Sequence, residues 1–166
     1  MSFGVDEIKS SVQINAPVEK VWSIVSDLDG ESRLWNNIRK VRNLSQDGNV
    51  VKRELTMGKG DRVMQTVTLY PREKIHAEFT KGIINGTKIT TLSSASSGTS
   101  LEIAWNVKFT GGAGFMKGML LKSFEEQTEQ VLQTIKQYVE SGGFAKSTTQ
   151  METRTHWADM IDSDKK

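Results

Sequence analysis

The sequence predicts an α+β domain in which about seven antiparallel strands form one curved sheet and a long C-terminal helix packs in its concave face. Three observations predict it. Strand-like runs follow one another from Arg39 to Thr110 with only short turn signals between them, which reads as an antiparallel meander. One more strand and two short helical segments precede that block, and a single long amphipathic segment follows it. A long antiparallel sheet must hide one face, and only the last helix is large enough to cover it. A sheet of this width twists and curls, so a helix laid along it leaves unfilled space, the usual form of a small-molecule cavity.

The elements follow in order. In Ile8 to Ala16, Ile8, Val12 and Ile14 share one phase of a strand. Val18, Val21, Trp22, Val25 and Leu28 then recur at helical spacing, with Asn15 or Ala16 as cap, Pro17 in the first turn and Gly30 as stop. Leu34, Trp35 and Ile38 mark a second short helical turn. Asp47-Gly48 signals a hairpin. Further breaks fall at Met57–Asp61 and Tyr70–Lys74, and Ser96-Ser97-Gly98 forms the tip of the last hairpin. A helix follows over residues 114–140, with Met116, Leu120, Phe124, Val131, Ile135 and Tyr138 on one stripe. Met119, Leu132 and Val139 widen that stripe, and Glu125, Glu126, Glu129 and Lys136 mark the wet side. At 1.5 Å per residue the helix is about 40 Å long, enough to cross a sheet. Gly142-Gly143 ends it.

Residues 1–143 thus make one domain, and 144–166 read as a flexible polar tail in which "HWADMI" could dock as a short turn. With 166 residues the chain can bury a core unaided, and without cysteine it has neither a disulfide framework nor a cysteine-ligated metal. The 22 basic and 20 acidic residues leave a net charge of +2, too little to favour nucleic acid. No apolar run is long enough to span a membrane. "MSFGVDEIKS" has no basic and apolar leader pattern, so the expected compartment is the cytoplasm.

Gly111, Gly112 and Gly114 open the long helix, as glycines do in phosphate-binding loops. The G-x-x-x-x-G-K-[ST] pattern is absent, and no parallel strand follows to complete a dinucleotide-binding unit. A sharp strand-to-helix reversal accounts for these glycines instead. Gly118, inside the helix, costs about 1 kcal/mol against alanine, which an open groove or a close backbone approach would explain.

The stretches "INAPVEKVWSIVSDLDGESRLWNNI" and "GTSLEIAWNVKFTGGAGFMKGMLLKSFEEQTEQVLQTIKQYVE" carry a family resemblance. Their opening strand, Ala-Pro step, Val-Trp pair, second tryptophan, last strand, glycine break and closing helix resemble the START-related polyketide cyclase/dehydrase and lipid transport superfamily. The resemblance covers about residues 6–141. It implies the helix-grip (SRPBCC-like) fold, and a cavity for lipids, quinones, hormones or polyketides, with catalysis in some members only.

On this reading Phe115, Met116, Met119, Leu120 and Phe124 line a cavity from the helix, with methionine adapting to a variable guest. Met57, Met64, Phe79 and Trp105 supply the opposite wall. Plain core packing is the alternative for all of them. Arg53 shares the phase of Val51, Leu55 and Met57; if that phase faces inward, its guanidinium could hold a carboxylate or phosphate-like head group. If Val50 faces inward instead, Arg53 points to water. Gln65, in phase with Val63, Val67 and Leu69, could offer an amide. Trp35 either shapes the gate or caps the core, and Trp22 is core. Glu54, Glu78 and His76 read as surface, while His156 and Trp157 fall in the tail. No H-E-x-x-H, G-x-S-x-G or close-set ligand group appears, so neither metal nor cofactor is expected.

The leading expectation is a carrier, sensor or transfer protein for a hydrophobic or amphipathic small molecule. A cyclase or dehydratase, with Arg53, Gln65 or Tyr70 polarising a carbonyl, is the alternative. An interaction module using the tail is a third. Whether the chain is a monomer or a dimer stays open.

Overall fold

The computed structural model describes residues 6–142. The proposed tail, with His156 and Trp157, lies outside them. Strand β1 (Asp6–Ile14) leads into helix α1 (Val18–Val25), a 3-10 turn at Leu28–Gly30 and the four-residue helix α2 (Glu31–Leu34). Six strands follow: β2 (Ile38–Asp47), β3 (Val50–Met57), β4 (Asp61–Tyr70), β5 (Lys74–Lys81), β6 (Ile84–Ala95) and β7 (Gly98–Phe109). A 3-10 turn at Gly111–Met116 then runs into helix α3 (Lys117–Glu140).

All seven strands form one antiparallel sheet in the order β1-β7-β6-β5-β4-β3-β2. The meander arises from short turns. Gly48 and Asn49 make the β2–β3 loop, with Gly48 at φ +59°, so the turn lies one residue beyond the expected Asp47-Gly48 pair. Register shifts in the β2–β3 and β4–β5 ladders add the local bends that curve a sheet.

Alternation sorts the side chains cleanly. Ile8, Val12 and Ile14 of β1, Leu55 and Met57 of β3, Phe79 of β5 and Leu101, Ile103, Trp105 and Val107 of β7 are buried in one core. The inward phase of β3 is therefore that of Val51, Leu55 and Met57, which carries Arg53 inside with them. Trp105 sits at the centre of the core. Its ring lies 5.5 Å from Trp35, 5.9 Å from Phe79 and 5.1 Å from Phe124. Its Nε1–H donates to Thr128 Oγ1 at 3.0 Å, and that hydroxyl donates to the Phe124 carbonyl at 2.6 Å.

Helix α3 buries Phe124, Thr128, Val131, Leu132, Ile135 and Val139. It runs in the same direction as β1 and approaches it more closely than any other strand. Lys117 pairs with Asp6 at 3.5 Å at one end, and Glu140 accepts the Asn15 N–H at 2.7 Å at the other. The helix therefore does not cover the sheet alone, as its length had implied. Trp22, Val25 and Leu28, from α1 and the turn after it, pack over Val67, Ile75 and Ala77 of β4 and β5. This division of labour leaves a seam between α3 and the α1–α2 segment, and the site lies beneath it.

Candidate functional site

A cavity opens under that seam, bounded by Ile24, Leu28 and Leu34 above, Val67, Ala77 and Ile103 on the sheet, and Val131 and Ile135 of α3. Its volume is about 30 Å³. That holds a few waters, whereas organic guests occupy pockets of roughly 300–1,000 Å³. As it stands, the cavity is too small for an organic guest.

Four polar side chains converge on the cavity from the inner sheet face and α2. Arg53 on β3 and Gln65 on β4 are direct cross-strand partners, and Arg53 Nε donates to Gln65 Oε1 at 2.7 Å. Arg53 also donates from Nη1 to the Leu28 carbonyl at 3.2 Å and from Nη2 to Glu31 Oε2. Lys88 on β6 lies opposite both Ala77 and Trp105, which fixes it on the inner face. Its Nζ donates to Glu31 Oε1 at 2.7 Å and stands 4.4 Å from the Trp35 ring centre and 5.2 Å from that of Trp105. Such placement adds cation–π attraction to the ion pair.

Arg53 is 1% exposed and Lys88 5%, so two buried cations share the Glu31 carboxylate. Asp27, an exposed residue, adds a carboxylate at the rim. Burial by itself would raise the Glu31 carboxyl. The charges of Lys88 and Arg53, with a hydrogen bond from each, override burial and hold the group at about 2. Glu31 is therefore ionised at neutral pH and a poor proton acceptor. The cluster is suited to recognising or stabilising negative charge.

The expected site residues divide sharply. Trp35 and Arg53 line the cavity, and Gln65 stands one hydrogen bond behind. Leu55, Met57, Phe79, Trp105 and Phe124 are buried in the adjoining core, with Leu120 half-buried against it. Met64 lies half-buried between the buried Val63 and Gln65 and so projects from the opposite, outer face. Phe115, Met116 and Met119 are exposed, Phe115 at 97%. Their placement has a simple cause. Residues 111–116 form a 3-10 turn, and the α-helical phase that buries Phe124 turns Met119 away from the core. Glu54, Glu78 and His76 lie off the inner face, as their phases required. Tyr70 is exposed, at the strand end away from the cluster.

Sequence reasoning missed Lys88 and Glu31. Lys88 depended on the exact turn: the expected tip Ser96-Ser97-Gly98 would set it opposite Asn106, whereas Gly98 belongs to β7 and pairs with Ala95, and that register sets Lys88 opposite Trp105. Glu31 heads a helix too short to show any periodicity.

Comparison with known proteins places this geometry. The family model described as polyketide cyclase/dehydrase and lipid transport matches residues 6–140. The chain belongs to that family. The cyclase/dehydrase and lipid transport fold is also seen in solved structures that this chain resembles. TTHA0849 from Thermus thermophilus is similar at 16% identity and a TM-score of 0.70, over 82% of this chain and 99% of that one. The Zhui aromatase/cyclase from Streptomyces sp. R1128 is similar at 17% identity and a TM-score of 0.68, over 84% and 98%. DR_A0006 from Deinococcus radiodurans is similar at 17% identity and a TM-score of 0.63, over 82% and 98%. At these identities the likeness is one of fold. No curated protein matches by sequence. Among the described residues, no helix is long and apolar enough to cross a membrane.

Proposed function

We propose that this member of the cyclase/dehydrase and lipid transport family binds a hydrophobic or amphipathic small molecule between the sheet and the α1–α2 and α3 helices, and acts as a carrier or sensor. The observation that carries this reading is the linked polar set Arg53, Gln65 and Lys88, with Thr90 beside it, on a largely apolar inner sheet face directly beneath a cavity. Buried charges cost several kcal/mol each to desolvate, and an apolar core of the same shape would often be as stable. Apolar walls would supply affinity at roughly 25 cal/mol per Å² buried, and the polar groups orientation. Because the closed cavity is small, uptake requires the α1–α2 segment to move outward.

Native mass spectrometry of the purified protein, together with displacement of a fluorescent apolar probe, tests this. One-to-one binding that Trp35→Ala or Val67→Trp alters is expected. A protein that takes up no apolar probe under any condition contradicts it.

Catalysis is the second reading, favoured by the two cations beside the cavity, which would stabilise an enolate oxygen. Incubation with a poly-β-ketone thioester analogue should then yield a cyclised product that Lys88→Met abolishes. Unchanged substrate would leave binding alone.

A further inference from the structure

The ionic cluster is built as an anion receptor that is already filled. Its cationic half is fixed: Arg53 is aligned by Gln65 and the Leu28 carbonyl, and Lys88 is framed by two tryptophan rings. Both cations stand on interior strands of the sheet, β3 and β6. The anionic half is different. Glu31 is the first residue of a four-residue helix whose N-terminus has no side-chain cap. Its carboxylate reaches the receptor from the segment that also roofs the cavity.

We propose that Glu31 is an internal stand-in for the head group of the ligand: the cavity takes a hydrophobic molecule bearing a carboxylate, which displaces Glu31 from Arg53 and Lys88 as α2 swings outward. This rests on the carrier reading and specifies its ligand class. The exchange conserves charge at the receptor, since one carboxylate replaces another while Glu31 returns to water. A neutral ligand that pushed α2 aside would leave two cations buried without their carboxylate, which is strongly unfavourable. Selectivity then follows from the penalty on the wrong ligand as much as from attraction to the right one. The small closed cavity has the same origin, because the roof that carries Glu31 fills the ligand's space.

The test is a calorimetric titration of the full chain with 2-naphthoate and its neutral isostere 2-naphthamide. The carboxylate is expected to bind at least tenfold more tightly. Glu31→Gln should tighten naphthoate and naphthamide alike, each at least tenfold, because both must displace the same carboxylate in the wild type, while Lys88→Met should erase the preference for naphthoate. Carbon NMR of the wild-type complex gives a readout that does not depend on a variant folding: the Glu31 carboxyl, displaced, should titrate in the ordinary carboxylate range. Equal affinity for the two probes, or a Glu31 still held low in the saturated complex, overturns the stand-in and leaves the carrier reading intact. Uptake of neither probe overturns both.

Discussion

Glu31 sits between Lys88 and Arg53, and that position ties its protonation to the stability of the whole domain. Its folded pKa, about 2, lies below its ordinary value of 4.5. The stabilisation is therefore complete above about pH 5 and is lost as pH falls through 4.5 toward 2. By linkage it amounts to about 3 kcal/mol. Glu31→Gln should lower the unfolding free energy at pH 7 by roughly that amount and flatten the decline between pH 5 and 2, measured by urea unfolding at several pH values. Glu140, held low by the Asn15 N–H and then Lys136, titrates in the same direction in both proteins, so the difference between them isolates Glu31. A variant with an undiminished acid limb would contradict the assignment. The same residues show how far the sequence could be read. Arg53 and Gln65 were accessible because a regular strand has only two faces and their neighbours are apolar. Lys88 demanded a strand-to-strand count, and Glu31 acquires its role only from a tertiary contact.

Glycines separate the constraints on individual elements. Gly86 lies in β6 at φ +124°, and a Cβ there would fall 2.0 Å from the Asn106 carbonyl oxygen of β7. Gly86→Ala must strain the backbone and part β6 from β7, so a loss of more than about 2 kcal/mol is expected. Gly118 differs: an added Cβ would meet nothing within 4 Å. No close approach explains this glycine, and Gly118→Ala should stabilise α3 by about 0.5–1 kcal/mol. Thermal unfolding of the two variants checks both signs at once. Gly111, at φ +61°, makes the reversal from β7 toward α3, the role that the missing phosphate-loop pattern implied. Strands and the long helix were legible because their periods are strong. The start of α3 was not, since six residues of 3-10 turn break the period from which its cavity wall had been read.

For the molecule as a whole, the architecture was the most legible feature, because element order and short turns leave few ways to arrange a seven-stranded meander and one long helix. Which elements cover which half of the sheet was not, since that depends on helix direction, and α3 follows β1 instead of crossing the strands. The consequence is mechanical. α1–α2 roofs the cavity and carries the ionic plug, so it should open while the sheet stays intact. Amide exchange at residues 26–36 should exceed that at Leu101–Val107 by orders of magnitude, and equal protection would argue against an opening roof.

The tie between β1 and the end of the chain has a consequence for assembly. Ile14 pairs with Thr99 and Asp6 with Val107, and α3 then binds both ends of β1. The first strand thus has no sheet partner until nearly the whole chain exists. β2 to β7 can zip by successive hairpins, but closure awaits one long-range event, which slows folding. During synthesis β1 stays unpaired until β7 is made, and the part of the inner face that α3 covers stays open until α3 leaves the ribosome; in that interval the chain is most exposed to aggregation. Its vulnerability is therefore set by the order of synthesis as well as by the stability of the finished fold.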